Sequence, residues 1–491
     1  MSHNVNHNDS TRADALAQLY ARTSAPDAVA TDWLALGNAL LAGANGDKAR
    51  LRQAVDALVR AYRLDANCDA RLLHEIAQTA FILRDWVLVE SATALLLARD
   101  ANDANALVWR SAAFQQRDDF AEAQRLLHEA ARAAPGNHIV LHKLALCIKE
   151  QGRFAEAEAL LRRVLELTPN NAHALFDLSE LEMRAGRYAQ GWLDYEARVA
   201  FADDVNAAKV ALAAISPNWR GESLAGKTLV VYGEQGNGDC LWSVRFLRLL
   251  AERAQREGGR VIFGYAGPMQ HLFERMLPAG IRIETSLETK PDCHCGLMSL
   301  PLRLGIDDPS MWGRPYLSAD PERAALWRER VAGAAKAGNK TVGLVWNGNP
   351  DHVRDARRSV PVELLAPLLN VSGITFFAVS PGRQTTVEQW RARGVDIVDP
   401  TEHFEAGFDD VAALLVNLDA LVTIDSGPAH LAGALGVPTW LMIDYVSAWF
   451  WGEETERAPW YQTVELFRQP SVGVWTPVIE RVRARLEALA A

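Results

Sequence analysis

The stretch ALVTIDSGPAHLAGALGVPTWLMI, residues 420–443, decides the fold of the C-terminal half. Its first six residues are a short apolar run rich in β-formers and end in Asp425. Ser426-Gly427-Pro428 then turns the chain into a helix, AHLAGALG. Pro428 suits the first helical turn, where its missing N–H costs nothing. Gly436-Val437-Pro438 stops the helix before a second apolar run, TWLMI. Two strands joined through a helix pair in parallel. Ser426, Gly427 and the following amides form a cradle suited to an anion at the positive helix end, beside Asp425. His430 lies one turn in, placed to donate to a phosphate oxygen. A lone histidine is more often a packed core residue. The Asp-Ser-Gly-Pro-x-His cluster at one strand end favours a ligand.

Outward from this unit, short apolar runs alternate with helical stretches from about residue 228. One series is TLVVY (228–232), RVIFGY (260–265), IRIET (281–285) and CHCGLMSL (293–300). A second is TVGLVW (341–346), ITFFAVS (374–380), VDIVDP (395–400), ALVTID (420–425) and TWLMI (439–443). Apolar strands alternating with helices predict parallel sheets covered on both faces. Between the series, ADPERAALWRERVAGAAKAGNK predicts a helix and an interlobe linker. Two such lobes place a ligand cleft at the carboxyl ends of their strands.

Three further segments are candidates for chemistry. GEQGNGD, Gly233 to Asp239, follows a strand and precedes a helix. Gly233, Gly236 and Gly238 let backbone approach a ligand, with Gln235 among them. Asp239 stands at the helix start, either as a cleft carboxylate or as an ordinary capping residue. The spacing is not the dinucleotide-binding fingerprint. GLVWNGNPDHVRDARRSVP, 343–361, ends a strand at Asn347 and carries Arg354, Arg357 and Arg358. Guanidinium forks there suit a diphosphate, although charged loops are usually just solvated. Trp449, Phe450, Trp451, Trp460 and Tyr461 crowd residues 444–470, to stack on a base or sugar or to pack the lobe. Cys293 and Cys295 flank His294 with no second pair nearby, which argues against a structural metal site.

The N-terminal part repeats instead. FAEA occurs at Phe120–Ala123 and Phe154–Ala157, and the weaker YAQG at Tyr188–Gly191. Pro135 and Pro169 share that spacing, and Trp86 precedes Phe120 by it. The 34-residue helix-turn-helix period is that of tetratricopeptide repeats, about five in total with the first degenerate. Ala121, Ala123, Ala155 and Ala157 are expected where helices approach closely, and the prolines end each second helix. Stacked repeats present a concave surface. The expected organisation is a mobile tail over 1–26, a repeat arm over 27–200, one α/β lobe over 201–335 and a second over 336–491.

With 491 residues, 49% hydrophobic and 23% charged, the composition is that of an ordinary multidomain globular protein. A net charge of -10 argues against broad nucleic-acid binding. No apolar window approaches the roughly 18 residues of a membrane span. The polar N-terminus lacks a signal-peptide core, and five scattered cysteines suit a reducing cytoplasm, so a cytoplasmic location is expected.

Together, GEQGNGD, GLVWNGNP…RRSVP, TIDSGPAHLAGALGVPTWLM and WY…LFRQP resemble bacterial tetratricopeptide-repeat proteins whose C-terminal glycosyltransferase half is similar to the ADP-heptose:lipopolysaccharide heptosyltransferases, glycosyltransferase family nine. The resemblance implies an α repeat superhelix plus α/β, the latter a GT-B fold of two Rossmann-like lobes facing a cleft. It implies an inverting glycosyltransferase using a nucleoside-diphosphate sugar as co-substrate, with no cofactor and no metal. Asp239 matches the family's catalytic aspartate. Asp425, Ser426, Gly427 and His430 match its donor turn, with Asn347 beside them, and Arg358 stands at a basic donor-contacting position. Two departures bear on the donor sugar: Arg358-Ser359-Val360-Pro361 replaces the frequent Lys-x-Trp-Pro, and the loop reads Gly-Asn-Gly-Asp.

The architecture, by analogy with O-GlcNAc transferase, makes a protein the expected acceptor, recruited by the arm. The arm's rival use is homo-oligomer formation. The rival functions are a non-catalytic scaffold with a degenerate nucleotide-binding module, a transferase acting on saccharide or lipopolysaccharide, and a nucleotide-sugar epimerase.

Overall fold

The computed structural model describes residues 5–200, 207–286, 288–350, 352, 354–453 and 456–491. The chain is α in its N-terminal region and α/β after it, in two compact units, Met1–Asn171 and Ala172–Ala491. Residues 1–4 of the expected tail, and 201–206 of the expected arm–lobe join, lie outside the described residues. Residues 5–23 of that tail form a helix, Val5–Thr23, packed on the helix Ala30–Ala42. Among the described residues no helix is long and apolar enough to cross a membrane.

The first unit is a run of helix pairs: Ala30–Ala42 with Lys48–Leu64, Ala70–Ile82 with Trp86–Arg99, Ala104–Gln115 with Phe120–Ala133, and His138–Lys149 with Phe154–Leu167. The 34-residue period follows from recurring stop and start signals. Asp69, Asp85, Asp103, Asp119 and Asn137 each cap a helix by accepting first-turn backbone N–H bonds. Pro135 and Pro169 lie just beyond the helix ends at Ala133 and Leu167. Ala123 and Ala157 are fully buried, as close helix approach requires, but Ala121 and Ala155 are exposed. Residues two positions apart in a helix point about 200° apart, so the alternate alanines of FAEA cannot share one face.

A fifth pair, Ala172–Arg184 with Tyr188–Tyr195, keeps the same period yet belongs to the second unit. Gly191 stands where the earlier pairs have Ala123 and Ala157. A Cβ there would come within 2.5 Å of Met183 Cγ, so this pair is closer still. The arm was expected to run to residue 200; the chain's contacts divide at 171/172.

The second unit contains two parallel sheets. Strands β1 (Thr228–Tyr232), β2 (Arg260–Gly264), β3 (Ile281–Glu284) and β4 (Cys293–Gly296) pair in the order β3-β2-β1-β4. Strands β5 (Lys340–Leu344), β6 (Ile374–Ala378), β7 (Ile397–Val398), β8 (Ala420–Ile424), β9 (Thr439–Ile443) and β10 (Val464–Arg468) pair in the order β10-β9-β8-β5-β6-β7. All nine expected runs contain a strand; the run over 293–300 turns helical after Gly296. β10 lies in the aromatic segment 444–470, for which the sequence predicts no strand. The predicted interlobe helix spans Pro321–Ala334, capped by Asp320 accepting from Arg323 N–H.

Aromatic residues join the fifth pair to both lobes. The Trp192 ring lies 5.8 Å from Trp242 of the first lobe and 5.2 Å from Trp449 of the second, and its Nε1–H donates to Ile306 O at 2.6 Å. Trp192→Ala is therefore expected to destabilise the second unit by about 3–5 kcal/mol. Leu193→Ala, an exposed neighbour, should change stability by no more than about 0.5 kcal/mol. Denaturant unfolding followed by near-ultraviolet circular dichroism measures both; a Trp192→Ala protein as stable as wild type would remove this pair from the core.

Candidate functional site

The glycine-rich loop leaves β1 at Tyr232 and enters a short helix, Asn237–Ser243. Gly233 passes so near Tyr265 that a Cβ would stand 2.8 Å from its ring. Gln235 holds a left-handed backbone, φ 62°, rare for a residue with a side chain. Its amide group bonds the Tyr195 hydroxyl, Nε2 donating at 2.7 Å. Gly236 is the N-cap, and its N–H donates to Asp239 Oδ2 at 3.0 Å. Asp239 therefore does cap its own helix. It is also half-buried, and burial pushes its carboxyl up to about 7. The Gly236 N–H opposes the shift, while the charges of Asp425 and Glu234 add to it.

Asp425 contributes to that shift because the two lobes bring the carboxylates near each other. It ends β8 and begins the turn into the helix Gly427–Leu435. Burial raises its carboxyl, Asp444 raises it further, and the Trp451 side chain, Arg358 and Arg354 pull it down. Ser426 is the N-cap, but its Oγ donates back to Ile424 O at 3.1 Å and caps nothing. Without a side-chain cap, the first-turn amides keep their positive end toward the loop.

His430 is buried in this helix. Its ring packs on Trp451 at 4.8 Å and edge-on to Phe450 and Tyr461, and Nδ1 bonds the Tyr461 hydroxyl at 2.9 Å. Burial, helped by the cation of Arg245, depresses its pKa to about 3, so the ring is neutral. A Cβ on Gly238 would stand 2.9 Å from His430 Cδ2 and 3.4 Å from Nε2. Glycine at 238 thus lets the catalytic-loop candidate and the donor-turn candidate touch.

The arginine loop closes on the same strand end. Arg358 ends a single helical turn, Asp355–Arg358, donating from Nη1 to Asp425 O at 3.1 Å and from Nε to Asp355 Oδ1 at 3.2 Å. Arg354 donates to Asp444 Oδ2 at 2.6 Å and to Val446 O. Asn347 donates from Nδ2 to Gly348 O, and its buried Oδ1 has no partner among the described residues. The structure therefore assembles the sequence-expected residues: Gly233, Gln235, Gly236, Gly238 and Asp239 on one side, and Asn347, Arg358, Asp425, Ser426, Gly427 and His430 on the other.

The aromatic segment is packing. Trp449, Phe450, Trp451, Trp460 and Tyr461 are all buried, against Trp242, Phe246 and His430 among others. Sequence reasoning missed Glu234, Arg198 and Arg245. Arg245 is a buried cation that donates to three carbonyls, of Trp242, Trp312 and Trp460, and to the Tyr316 hydroxyl. It thereby ties the first lobe to the second. Glu234 lies inside GEQGNGD, but nothing local distinguishes it from a solvated acid. His294 Nδ1 bonds Ser216 Oγ at 2.9 Å inside the first sheet.

The tetratricopeptide-repeat family matches residues 114–166 and 149–191, so the repeats continue into the fifth pair. Glycosyltransferase family 9 (heptosyltransferase) matches residues 405–442, which span Asp425, Ser426, Gly427 and His430 but not Asp239 or Arg358. The chain is 28% identical over 336 residues to Protein FlbA of Caulobacter vibrioides, covering 62% of this chain and 53% of FlbA. It thus spans about half the length of the curated relative it matches. A thermophilic tetratricopeptide-repeat protein of Thermus thermophilus is 21% identical, covering 38% of this chain and 98% of its own, with a TM-score of 0.31. PilF of Pseudomonas aeruginosa is 20% identical, covering 37% of this chain and 79% of its own, with a TM-score of 0.30. The chain carries tetratricopeptide repeats, followed by an α/β region in which one segment, residues 405–442, is similar to glycosyltransferase family 9.

Proposed function

We propose that this protein is an inverting, metal-independent glycosyltransferase of GT-B architecture, moving a sugar from a nucleoside-diphosphate sugar to a protein acceptor recruited by the repeats. The observation that carries this is the approach of Gly238 to His430, which sets Asp239 of one lobe against the donor turn of the other. The family 9 match over that turn supports the donor class. The absence of any Asp-x-Asp sequence supports metal independence.

In this reading the diphosphate lies at the start of the helix Gly427–Leu435, with Arg358 beside it. First-turn amides and the guanidinium stabilise the charge of the leaving group. The acceptor hydroxyl oxygen attacks the anomeric carbon from the opposite face. The carbon–oxygen bond to the diphosphate breaks, and the nucleoside diphosphate leaves with the bonding pair. Asp239 takes the hydroxyl proton as general base, for which a carboxyl near 7 is well matched. Neutral His430 contributes no charge; its ring places the helix against Gly238 and leaves Nε2 at the loop.

Asp239→Asn is expected to lower transfer at least about 10²-fold and to spare donor binding. Titration calorimetry in chelator measures the binding. Affinity that disappears in chelator and returns with magnesium or manganese would overturn metal independence, and near-wild-type turnover would leave Asp239 a helix cap only.

The same carboxyl sets the pH dependence. Transfer should rise about tenfold per pH unit below about 7 and level off above it, as the base ionises. Stability should move the other way. The folded state holds the Asp239 proton up to about 7 against the usual 3.8, so it loses stability as pH rises through that window. Asp239→Asn removes this loss and should gain on wild type in thermal unfolding from pH 4 to 7.

Deleting residues 1–171 tests recruitment, because the fifth pair stays with the α/β unit. Donor hydrolysis should persist while transfer to the protein acceptor collapses. Full transfer by that truncation would assign the arm to self-association, and a full-length chain with neither hydrolysis nor transfer would be a scaffold.

A further inference from the structure

The last repeat does more than pack. After the helix Tyr188–Tyr195 the chain makes one tight turn, Glu196–Ala200, which carries Arg198. Arg198 is buried, and every N–H of its guanidinium has a partner. Nη2 and Nε donate to the two carboxylate oxygens of Glu234 at 2.7 and 3.2 Å. Nη2 also donates to Ser299 Oγ at 2.7 Å, and Nη1 donates to Glu196 Oε1 at 2.9 Å and Tyr195 O at 3.2 Å. Glu234 in turn accepts from Met298 N–H at 2.9 Å and fills the space where Gly296 lacks a side chain. The fork fixes Glu234 in two directions at once, as a planar guanidinium can and an ammonium cannot.

The next loop residue is held from the end of the helix before that turn. The Tyr195 hydroxyl bonds the side chain of Gln235. Gln235 is the left-handed residue of the loop, a conformation that persists only where surroundings enforce it. The Tyr195 ring is itself fixed, stacked on Phe176 at 5.4 Å and lying 4.7 Å from the Arg198 guanidinium. A buried ion pair is weak evidence for stability, since apolar replacements often serve as well. What this one does is place two consecutive residues whose backbone leads directly into the Gly236 cap and Asp239.

We infer that Tyr195 and Arg198, contributed by the last repeat, are positioning residues of the transferase site, holding the Glu234–Gln235 backbone so that the Asp239 carboxylate stands where the acceptor hydroxyl is deprotonated. This rests on the function proposed above. The site is then incomplete without the fifth helix pair. The groups coupled to Asp239 through charge are Asp425 from the turn after β8, Glu234 from the loop, Tyr195 from the repeat and Cys240 from its own helix. Arg198 balances Glu234, so removing the cation leaves a carboxylate that raises Asp239 further.

The full-length chain is the test material, with Tyr195→Phe, Arg198→Lys, Arg198→Gln and the exposed control Leu193→Ala. Both Tyr195→Phe and Arg198→Gln should lower kcat on the order of 10²-fold, the scale of a small misplacement, with donor KM unchanged. The pH–rate midpoint should move up in Arg198→Gln and stay in Arg198→Lys, which keeps the charge and loses the fork. Hydrogen exchange should show amides 233–239 losing protection in Tyr195→Phe while β1 and β2 keep theirs.

Folded variants with wild-type kcat, midpoint and loop protection would overturn the inference. If Arg198→Gln does not fold, Tyr195→Phe decides, since it removes one hydroxyl. If wild type shows no transfer, the functional reading fails by itself. The exchange measurement then still decides: unchanged loop protection would overturn the positioning role, and lost protection would retain it for whatever chemistry the loop serves.

Discussion

Trp242 lies where three parts of the second unit meet. Its ring is edge-on to Trp449 at 5.1 Å and to Trp460 at 5.0 Å, and tilted against Trp192 at 5.8 Å. These partners come from the second lobe and from the fifth repeat, so one indole holds both against the first lobe. Three residues later Arg245 continues the join, with its charge over the Tyr316 and Tyr461 rings at 4.3 and 4.7 Å. A buried cation without a carboxylate is costly unless its donors are all matched. Here carbonyls, a hydroxyl and ring faces do that, and they come from both lobes. The lobes can therefore separate at this point only by exposing both the aromatic core and an unpartnered guanidinium.

The electrostatics of the candidate site follow from that core. His430 sits against its wall, between Trp451 and Tyr461, and is neutral because aromatic surroundings leave no room to solvate an imidazolium. The helix Gly427–Leu435 is held by the same rings, which sets Asp425 across from Asp239. Burial raises both carboxyls; the Asp425 charge raises Asp239 further, and Asp444 does the same to Asp425. A carboxyl near neutrality thus needs no special residue type; it follows from bringing two lobes together around a tryptophan cluster.

Much of this was legible in sequence. Apolar runs bounded by turn residues located nine strands, because a parallel strand covered on both faces must be apolar throughout. β10 is not legible because VELFR carries Glu465 and Arg468 at an edge, in a stretch whose aromatic density suits ligand stacking equally well. The repeat period located the helix pairs but not the unit boundary. Periodicity continues through Tyr188–Tyr195 whatever that pair packs against, and only Trp192's neighbours reveal the change. Motif composition brought together Asp239, Asp425 and His430. Arg198 and Arg245 left no local signal, since the partners that matter to the site and the lobe join, Glu234 and Trp460, are 36 and 215 positions away.

Repeat arrays ordinarily end in a cap whose outer face is polar, because each unit is stabilised only by its neighbours. The fifth pair departs from that rule. Tyr188, Trp192 and Tyr195 are buried, with Trp460, Trp242 and Trp449 of the α/β lobes among their ring contacts. Arg184 reaches the main chain of Tyr445 and Ser447 in the second lobe. An unpartnered pair with that face would expose several large aromatic rings, and an α/β unit lacking the pair would expose theirs. Each half therefore supplies apolar surface that the other must bury, which is the condition for folding as one unit. A repeat used in this way is no longer an interchangeable spacer. Inserting or deleting one 34-residue period before residue 172 leaves these contacts intact, whereas the same change after it removes the side chains that hold the lobes and the glycine-rich loop.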